Sequence, residues 1–238
     1  HEAYAAGYYD PLSLRYREEF VIGPLVAGLD LSHATVADIA SGSGYNSLLL
    51  KKRFPSVKMV GFDISEKACR DYAALVGGRA VQIDLTKPMA SREAIFDCAI
   101  VIGGLHHMVA DLPTALKNIA AMLKPSGRLL AIEPNRRFLL QAVRALWYQL
   151  DHFFEAESER ALSVAEIVEA ARNEFTLERS HYFGGPAYFF LENSAIFRLS
   201  YSTKERIAPL MMGLERVFSR QELSWACPAF RAVLVRKP

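Results

Sequence analysis

The chain has 238 residues, of which 51% are hydrophobic, 11% aromatic and 23% charged, a balance that excludes a disordered or low-complexity polymer. Its 28 basic and 26 acidic residues leave a formal net charge of +2, too small to serve as a general electrostatic footprint for nucleic acid. Cys69, Cys98 and Cys227 form no CxxC pair and fit free thiols in a reducing compartment, the cytoplasm, and no apolar run approaches the ~18 residues of a membrane span.

Residues 1–34 read as a Tyr-rich helical cap carrying Tyr4, Tyr8, Tyr9 and Tyr16. From Thr35 the pattern changes. TVADIA, VKMVGF, RAVQI, FDCAIVI and GRLLAIE are near-continuous β-branched and apolar runs, as parallel strands covered on both faces require. Helical stretches alternate with them. One starts near Asn46, one follows Ser65 as N-cap, and a third, PTALKNIAAMLK, has Pro113 in its first turn and stops at Pro125-Ser126-Gly127. Strand–helix alternation of this kind predicts βαβ units in an α/β, Rossmann-like, doubly wound sheet.

Two helix candidates follow in residues 135–174. RFLLQAVRALWYQL aligns Phe138, Leu139, Ala142, Val143, Leu146, Trp147 and Leu150, and VAEIVEAARNEF is opened by a Ser163–Glu166 capping box. FTLERSHYF and PAFRAVLVRK read as the last two strands. Residues 184–226, between them, hold PAYFFLENSAIF and the amphipathic IAPLMMGLERVF, which predict a helical lid insertion within a domain of residues 35–238. An apolar acceptor pocket, a peripheral membrane contact and a dimer face all suit such helices, so a monomer and a homodimer both stay open.

The chemistry concentrates at DIASGSGYNS. Asp38 ends a strand, and Ala40, Ser41, Gly42, Ser43 and Gly44 form a turn where glycine lets a ligand approach the backbone ahead of a helix N-terminus. Asp63 ends the second strand, placed for a ribose. Asp84 ends the third, placed with the Leu85 backbone for an adenine. Three polar strand ends in register predict an adenosine pocket at the carboxyl edge of the sheet. The dinucleotide pattern G-x-G-x-x-G fails at Ser47, and no Walker lysine is present. Acidic residues near a loop without Arg or Lys suit an amine and a sulfonium better than phosphates.

On these motifs, the segment from Val36 to about Asn135 resembles the core of a class I S-adenosylmethionine-dependent methyltransferase of the small-molecule type. DIASGSG resembles that family's D-x-G-x-G-x-G loop, GFDIS its ribose motif, QIDL its adenine-side motif, FDCAIVIGGLHHM its fourth-strand motif and LKPSGRLLAIEP its fifth-strand approach. Ala40 departs from the first glycine. The resemblance implies seven strands, mostly parallel with an antiparallel last one, and S-adenosyl-L-methionine as cofactor. By it, the loop Ala40–Gly44 holds the methionine portion, Asp63 and Ile64 flank the ribose and adenine, Asp84 and Leu85 hold the adenine, and Ile102 and Gly103 line the fourth-strand wall. Tyr8 is carried as a residue closing over the cofactor, with packing on the sheet as its alternative.

His106 and His107 follow the fourth strand. Either one takes the acceptor's proton or both shape the loop by hydrogen bonding. Glu133 is a second polar candidate whose structural role weighs more. Asp151, His152 and the Glu155, Glu157, Glu159 run carry metal-compatible groups, but alternating acids read as a solvated loop and no metal is expected. The expected function is methyl transfer to a small-molecule acceptor, oxygen ahead of nitrogen, hydrophobic or lipid-linked acceptors included. A nucleic-acid methyltransferase is disfavoured by GGLHHM in place of an aromatic tetrapeptide such as NPPY. A non-catalytic adenosine-binding partner subunit is the remaining alternative.

Overall fold

A computed structural model describes residues 10–89, 93–140, 160–192, 197, 199–220 and 223–238. Tyr4, Tyr8, Tyr9, Arg144, the Ala142–Leu150 part of the apolar stripe, Asp151, His152 and Glu155–Glu159 lie outside the described residues.

Seven strands form one sheet: β1 Thr35–Ile39, β2 Lys58–Asp63, β3 Arg79–Gln82, β4 Phe96–Ile102, β5 Leu123–Pro134, β6 Phe175–Phe183 and β7 Ala229–Arg236. Their spatial order is β3-β2-β1-β4-β5-β7-β6. Only β7 runs against its neighbours, pairing antiparallel with both β5 and β6. β1 lies between β2 and β4, so chain order reverses there and opens a crevice at the carboxyl ends of those strands.

The described helices are α1 Pro11–Tyr16, α2 Tyr45–Arg53, α3 Glu66–Val76, α4 Leu112–Met122, α5 Val164–Ala170 and α6 Tyr201–Phe218. Helix α1 runs on into a π-helical turn, Arg17–Ile22, and a second π-helical turn spans Tyr188–Glu192. Alternate strand residues face opposite layers, as the period of two demands. Ala37, Ile39, Val101 and Leu129 pack with α4 and Ile167 of α5. Val36, Ile100, Leu130 and Val233 pack with the N-terminal helix, Leu50 of α2 and Met212 of α6.

The expected caps form. Ser65 Oγ accepts from Ala68 N at 3.3 Å, and Ser163 and Glu166 exchange both bonds of the capping box. Two boundaries differ from the sequence reading. Helix α4 ends at Met122, because Pro125 and its neighbours favour extended backbone, and β5 begins at once with Leu123 against Phe96. Helix α5 ends at Ala170 rather than Phe175. Ile167, Ala171 and Phe175 keep helical spacing and are all buried, but a turn and the start of β6 deliver the last of them.

Candidate functional site

The turn after β1 is bent in the left-handed region at three positions: Ala40 at φ 51°, Gly42 at 51° and Gly44 at 91°. Gly44 is irreplaceable, since a Cβ there would lie 2.4 Å from Val76 Cγ2. Ala40 pays strain that glycine would avoid. Its methyl group is accommodated by Gly104 across the crevice, where a Cβ would stand 2.7 Å from Ala40 Cβ. The departure from the family's first glycine is thus matched by a missing side chain on the β4 exit.

Asp63 ties the turn to β2. Its Oδ2 accepts from Gly42 N and its Oδ1 from Ser65 N, both at 2.9 Å. Asp84 Oδ1 accepts from Thr86 N at 2.9 Å and Thr86 Oγ1 at 2.6 Å, and those bonds hold its carboxyl below the usual carboxylate range. Asn118 of α4 fixes the same segment, donating to the carbonyls of Leu85 and Lys87 at 2.9 and 2.8 Å.

These groups surround a cavity of about 290 Å³. Of the residues expected from sequence, Ala40, Asp63, Ile64, Asp84, Leu85, Gly103 and His107 line it. Phe62, Ile83, Thr86, Gly104 and Met108 line it too, although the sequence reading had not singled them out. Ser41, Gly42, Ser43, Gly44, Ile102 and His106 are not among the residues that line it, and Tyr8 lies outside the described residues. Among the described residues no Arg or Lys lines the cavity, two carboxylates do, and Ile64 is 65% exposed at its rim. That donor set fits an adenosine whose other half carries no phosphate.

Asp38, a cofactor-binding candidate of the same loop motif, is not among the lining residues and is 1% exposed, with Oδ2 accepting from Ser47 Oγ at 2.6 Å, while Ser47 Oγ lies 2.8 Å from Tyr72 OH. Burial pushes its carboxyl up to about 7, aided by the charge of Asp63 and opposed by the Ser47 bond.

Glu133 organises the β4 exit. The carboxylate, 1% exposed, accepts from Gly104 N at 3.0 Å, Leu105 N at 2.6 Å, His106 N at 3.2 Å and His106 Nδ1 at 2.7 Å. An ionised carboxylate only accepts, so in this contact His106 Nδ1 is the donor. The His106 and His107 rings lie 4.0 Å apart at 37°, and of the two His107 lines the cavity.

A buried polar cluster above the glycine turn had no counterpart in the sequence reading. Arg17 Nη2 meets Glu192 Oε1 at 2.6 Å, Arg17 Nη1 donates to Asn46 Oδ1 at 3.1 Å, and Lys204 Nζ meets Asp10 Oδ2 at 2.5 Å. Burial raises the Glu192 carboxyl to about 7 against the pull of Arg17. The partners are far apart in sequence, so no local pattern announces them.

Residues 36–127 match the family model described as "Methyltransferase domain". That segment is similar to a methyltransferase domain. A curated relative, the demethylmenaquinone methyltransferase of Deinococcus radiodurans, is 30% identical over 120 residues, which cover 48% of this chain and 49% of the relative. The chain therefore spans about half the length of that relative. Among solved structures, a SAM-dependent methyltransferase from Archaeoglobus fulgidus superposes with TM-score 0.61 at 14% identity, covering 99% of each chain. The N-methyltransferase NodS from Bradyrhizobium japonicum, solved with S-adenosyl-L-homocysteine, superposes with TM-score 0.56 at 13% identity, covering 97% of this chain and 89% of that one. The sheet order and the single antiparallel strand are those of the class I methyltransferase fold.

Proposed function

We propose that the chain is an S-adenosylmethionine-dependent methyltransferase for a small, apolar acceptor, with oxygen the favoured accepting atom. The observation that carries this reading is the cavity at the carboxyl edge of β1, β2 and β4: two acidic walls, no cation, and a glycine turn at one end. Asp63 would hold the ribose, Asp84 and the Leu85 backbone the adenine, Ile64 the adenine face, and the turn from Ala40 to Gly44 the methionine portion. Bound there, S-adenosylmethionine supplies an electrophilic sulfonium methyl group.

The chain's own contribution is alignment of the acceptor and, for a hydroxyl acceptor, removal of its proton. His107 lines the cavity, which supports it as the residue that takes that proton. His106 acts as a positioning residue, fixed by Glu133 and packed on the His107 ring.

An apolar acceptor is supported by exposed apolar side chains in the two segments that flank the last strands. Leu139, Leu140 and Trp225 are exposed beside one another, Leu139 N donating to Trp225 O at 2.7 Å, and Leu210, Leu214 and Val217 are exposed along α6. The relative's name, demethylmenaquinone methyltransferase, points the same way. Among the described residues no helix is long and apolar enough to cross a membrane. Three free, buried cysteines support a reducing, cytoplasmic setting, and residues 1–34 are read as a cap on the domain of residues 35–238.

The test is calorimetric titration with S-adenosylmethionine, S-adenosylhomocysteine and NAD in parallel. Binding of the first two alone is the expected result. Binding of NAD alone, or of none, withdraws the assignment.

A further inference from the structure

The methionine end of the proposed cofactor carries an ammonium and a carboxylate, and the glycine turn offers it no ionised side chain. The one acid of that segment, Asp38, is sealed beneath it on Ser47. A charged amino-acid group needs charged partners to leave water at little cost.

Such partners are joined to the start of the helix that follows the turn. Asn46, in the first turn of α2 and two residues past Gly44, accepts from Arg17 Nη1, and the same guanidinium holds Glu192 Oε1. Glu192 is 5% exposed, and its second oxygen, Oε2, has no hydrogen-bond partner among the described residues. A buried carboxylate oxygen left in that state costs about 1–3 kcal/mol or more until a donor arrives. Arg17 and Glu192 both sit on π-helical turns, geometry that recurs where a fold presents side chains to a ligand.

The pair is also held rigidly. Ser13 Oγ donates to the Leu191 carbonyl at 2.7 Å, Lys204 Nζ to the same carbonyl at 3.2 Å, and Lys204 is itself paired with Asp10. Arg17 with Glu192 and Lys204 with Asp10 are each neutral overall. A zwitterion entering here adds no net charge to a buried region.

We infer that Glu192 is a cofactor-binding residue: its free carboxylate oxygen accepts a hydrogen bond from the α-ammonium of the methionine portion, with Arg17 orienting it from Asn46. This rests on the adenosine-pocket reading above, and the experiment separates the two. The full-length chain and Glu192→Gln would each be titrated calorimetrically with S-adenosylmethionine, S-adenosylhomocysteine and 5′-methylthioadenosine, which lacks the amino-acid portion. A charge-assisted bond predicts roughly 10- to 100-fold weaker binding of the first two by the variant. Binding of 5′-methylthioadenosine should be unchanged, which also certifies that the variant is folded. Unchanged affinity for all three, or an equal loss for all three, overturns the role of Glu192. Failure of the wild-type chain to bind any of them overturns the adenosine pocket itself. A measurement independent of any variant uses the wild-type chain and desamino-S-adenosylhomocysteine, expected to bind roughly 10- to 100-fold more weakly than S-adenosylhomocysteine. Equal affinity for that pair overturns the proposal.

Discussion

Glu133→Ala tests whether the β4 exit is built on one carboxylate. Four donors converge on Glu133: the N–H groups of Gly104, Leu105 and His106 and the Nδ1 of His106, at 2.6 to 3.2 Å. Each buried donor left without an acceptor costs about 1–3 kcal/mol, but water entering the space vacated by the side chain recovers part of that. The net loss should be about 3–5 kcal/mol, the range for stripping one side of a buried charged contact. For a chain of this length each kcal/mol moves the melting temperature by roughly 2–4 °C, so the fall should be on the order of 6–20 °C. Glu133→Gln keeps the shape and one acceptor oxygen, and its amide can donate to His106 Nδ1 once the ring changes tautomer, so only His106 N loses its acceptor and the cost should be about 1–3 kcal/mol. Urea and thermal unfolding of the three proteins at one pH give the comparison. A Glu133→Ala protein as stable as wild type, or a Gln variant worse than Ala, would refute the claim that acceptor count at this carboxylate sets the stability of the turn.

Three further perturbations address the site. Gly104→Ala places a Cβ 2.7 Å from Ala40 Cβ and should cost about 1–3 kcal/mol, with Ala40→Gly recovering at least about 0.5 kcal/mol of it in a double-mutant cycle; strict additivity would show that the two residues do not share that space. Asp63→Ala should weaken S-adenosylhomocysteine at least roughly 10-fold while near-ultraviolet circular dichroism stays native, and unchanged affinity would remove the ribose assignment. Asp38 binds its proton more tightly folded, at about 7, than at its ordinary 3.8, so its favourable contribution is complete below about pH 4 and is lost as pH rises through 7. Asp38→Asn should therefore remove about 2–3 kcal/mol of the fall in stability between pH 5 and pH 8, measured by urea unfolding, and a variant whose stability parallels wild type across that range would exonerate Asp38. Glu192, also raised to about 7, contributes in the same direction and leaves a residual slope.

The sheet was legible because its strands are buried on both faces and so spell unbroken apolar runs, with Ser65 and Ser163 marking helix starts by local chemistry. The Asp63 and Asp84 positions were legible for the same reason: a polar residue closing such a run must sit at the sheet's edge. Asp38 closes its run as well, yet lies under the turn it precedes. A strand covered on both faces gives no alternation to say which way a given side chain points, and Ser47, nine residues on, is what captures it. The lid was legible only as apolar helices. Its polar contacts join Asp10 to Lys204, Tyr16 to Glu215 and Arg17 to Glu192, pairs that only the closed fold brings within reach.

The exits of β4 and β6 share one device that clarifies what sequence can and cannot display. At the β4 exit, Gly103 and Gly104 turn the chain onto Glu133 from β5. At the β6 exit, Gly184 and Gly185 turn it onto Glu215 from α6, whose buried carboxylate accepts from Gly185 N at 2.8 Å, Ala187 N at 3.0 Å and Tyr16 OH at 3.0 Å. Glycine is needed in both for contact rather than for freedom alone: a Cβ on Gly104 would meet Ala40, and one on Gly185 would lie 2.9 Å from Phe218 Cγ and 3.0 Å from Glu215 Oε2. The glycine pair is visible in the sequence at each site, whereas its carboxylate, 29 or 30 residues further on, is not. The consequence is that the exit carrying His107 and the exit leading into Glu192 are each pinned by a single buried carboxyl group. Loss of either carboxylate should loosen the site from that side while the sheet and its apolar layers remain.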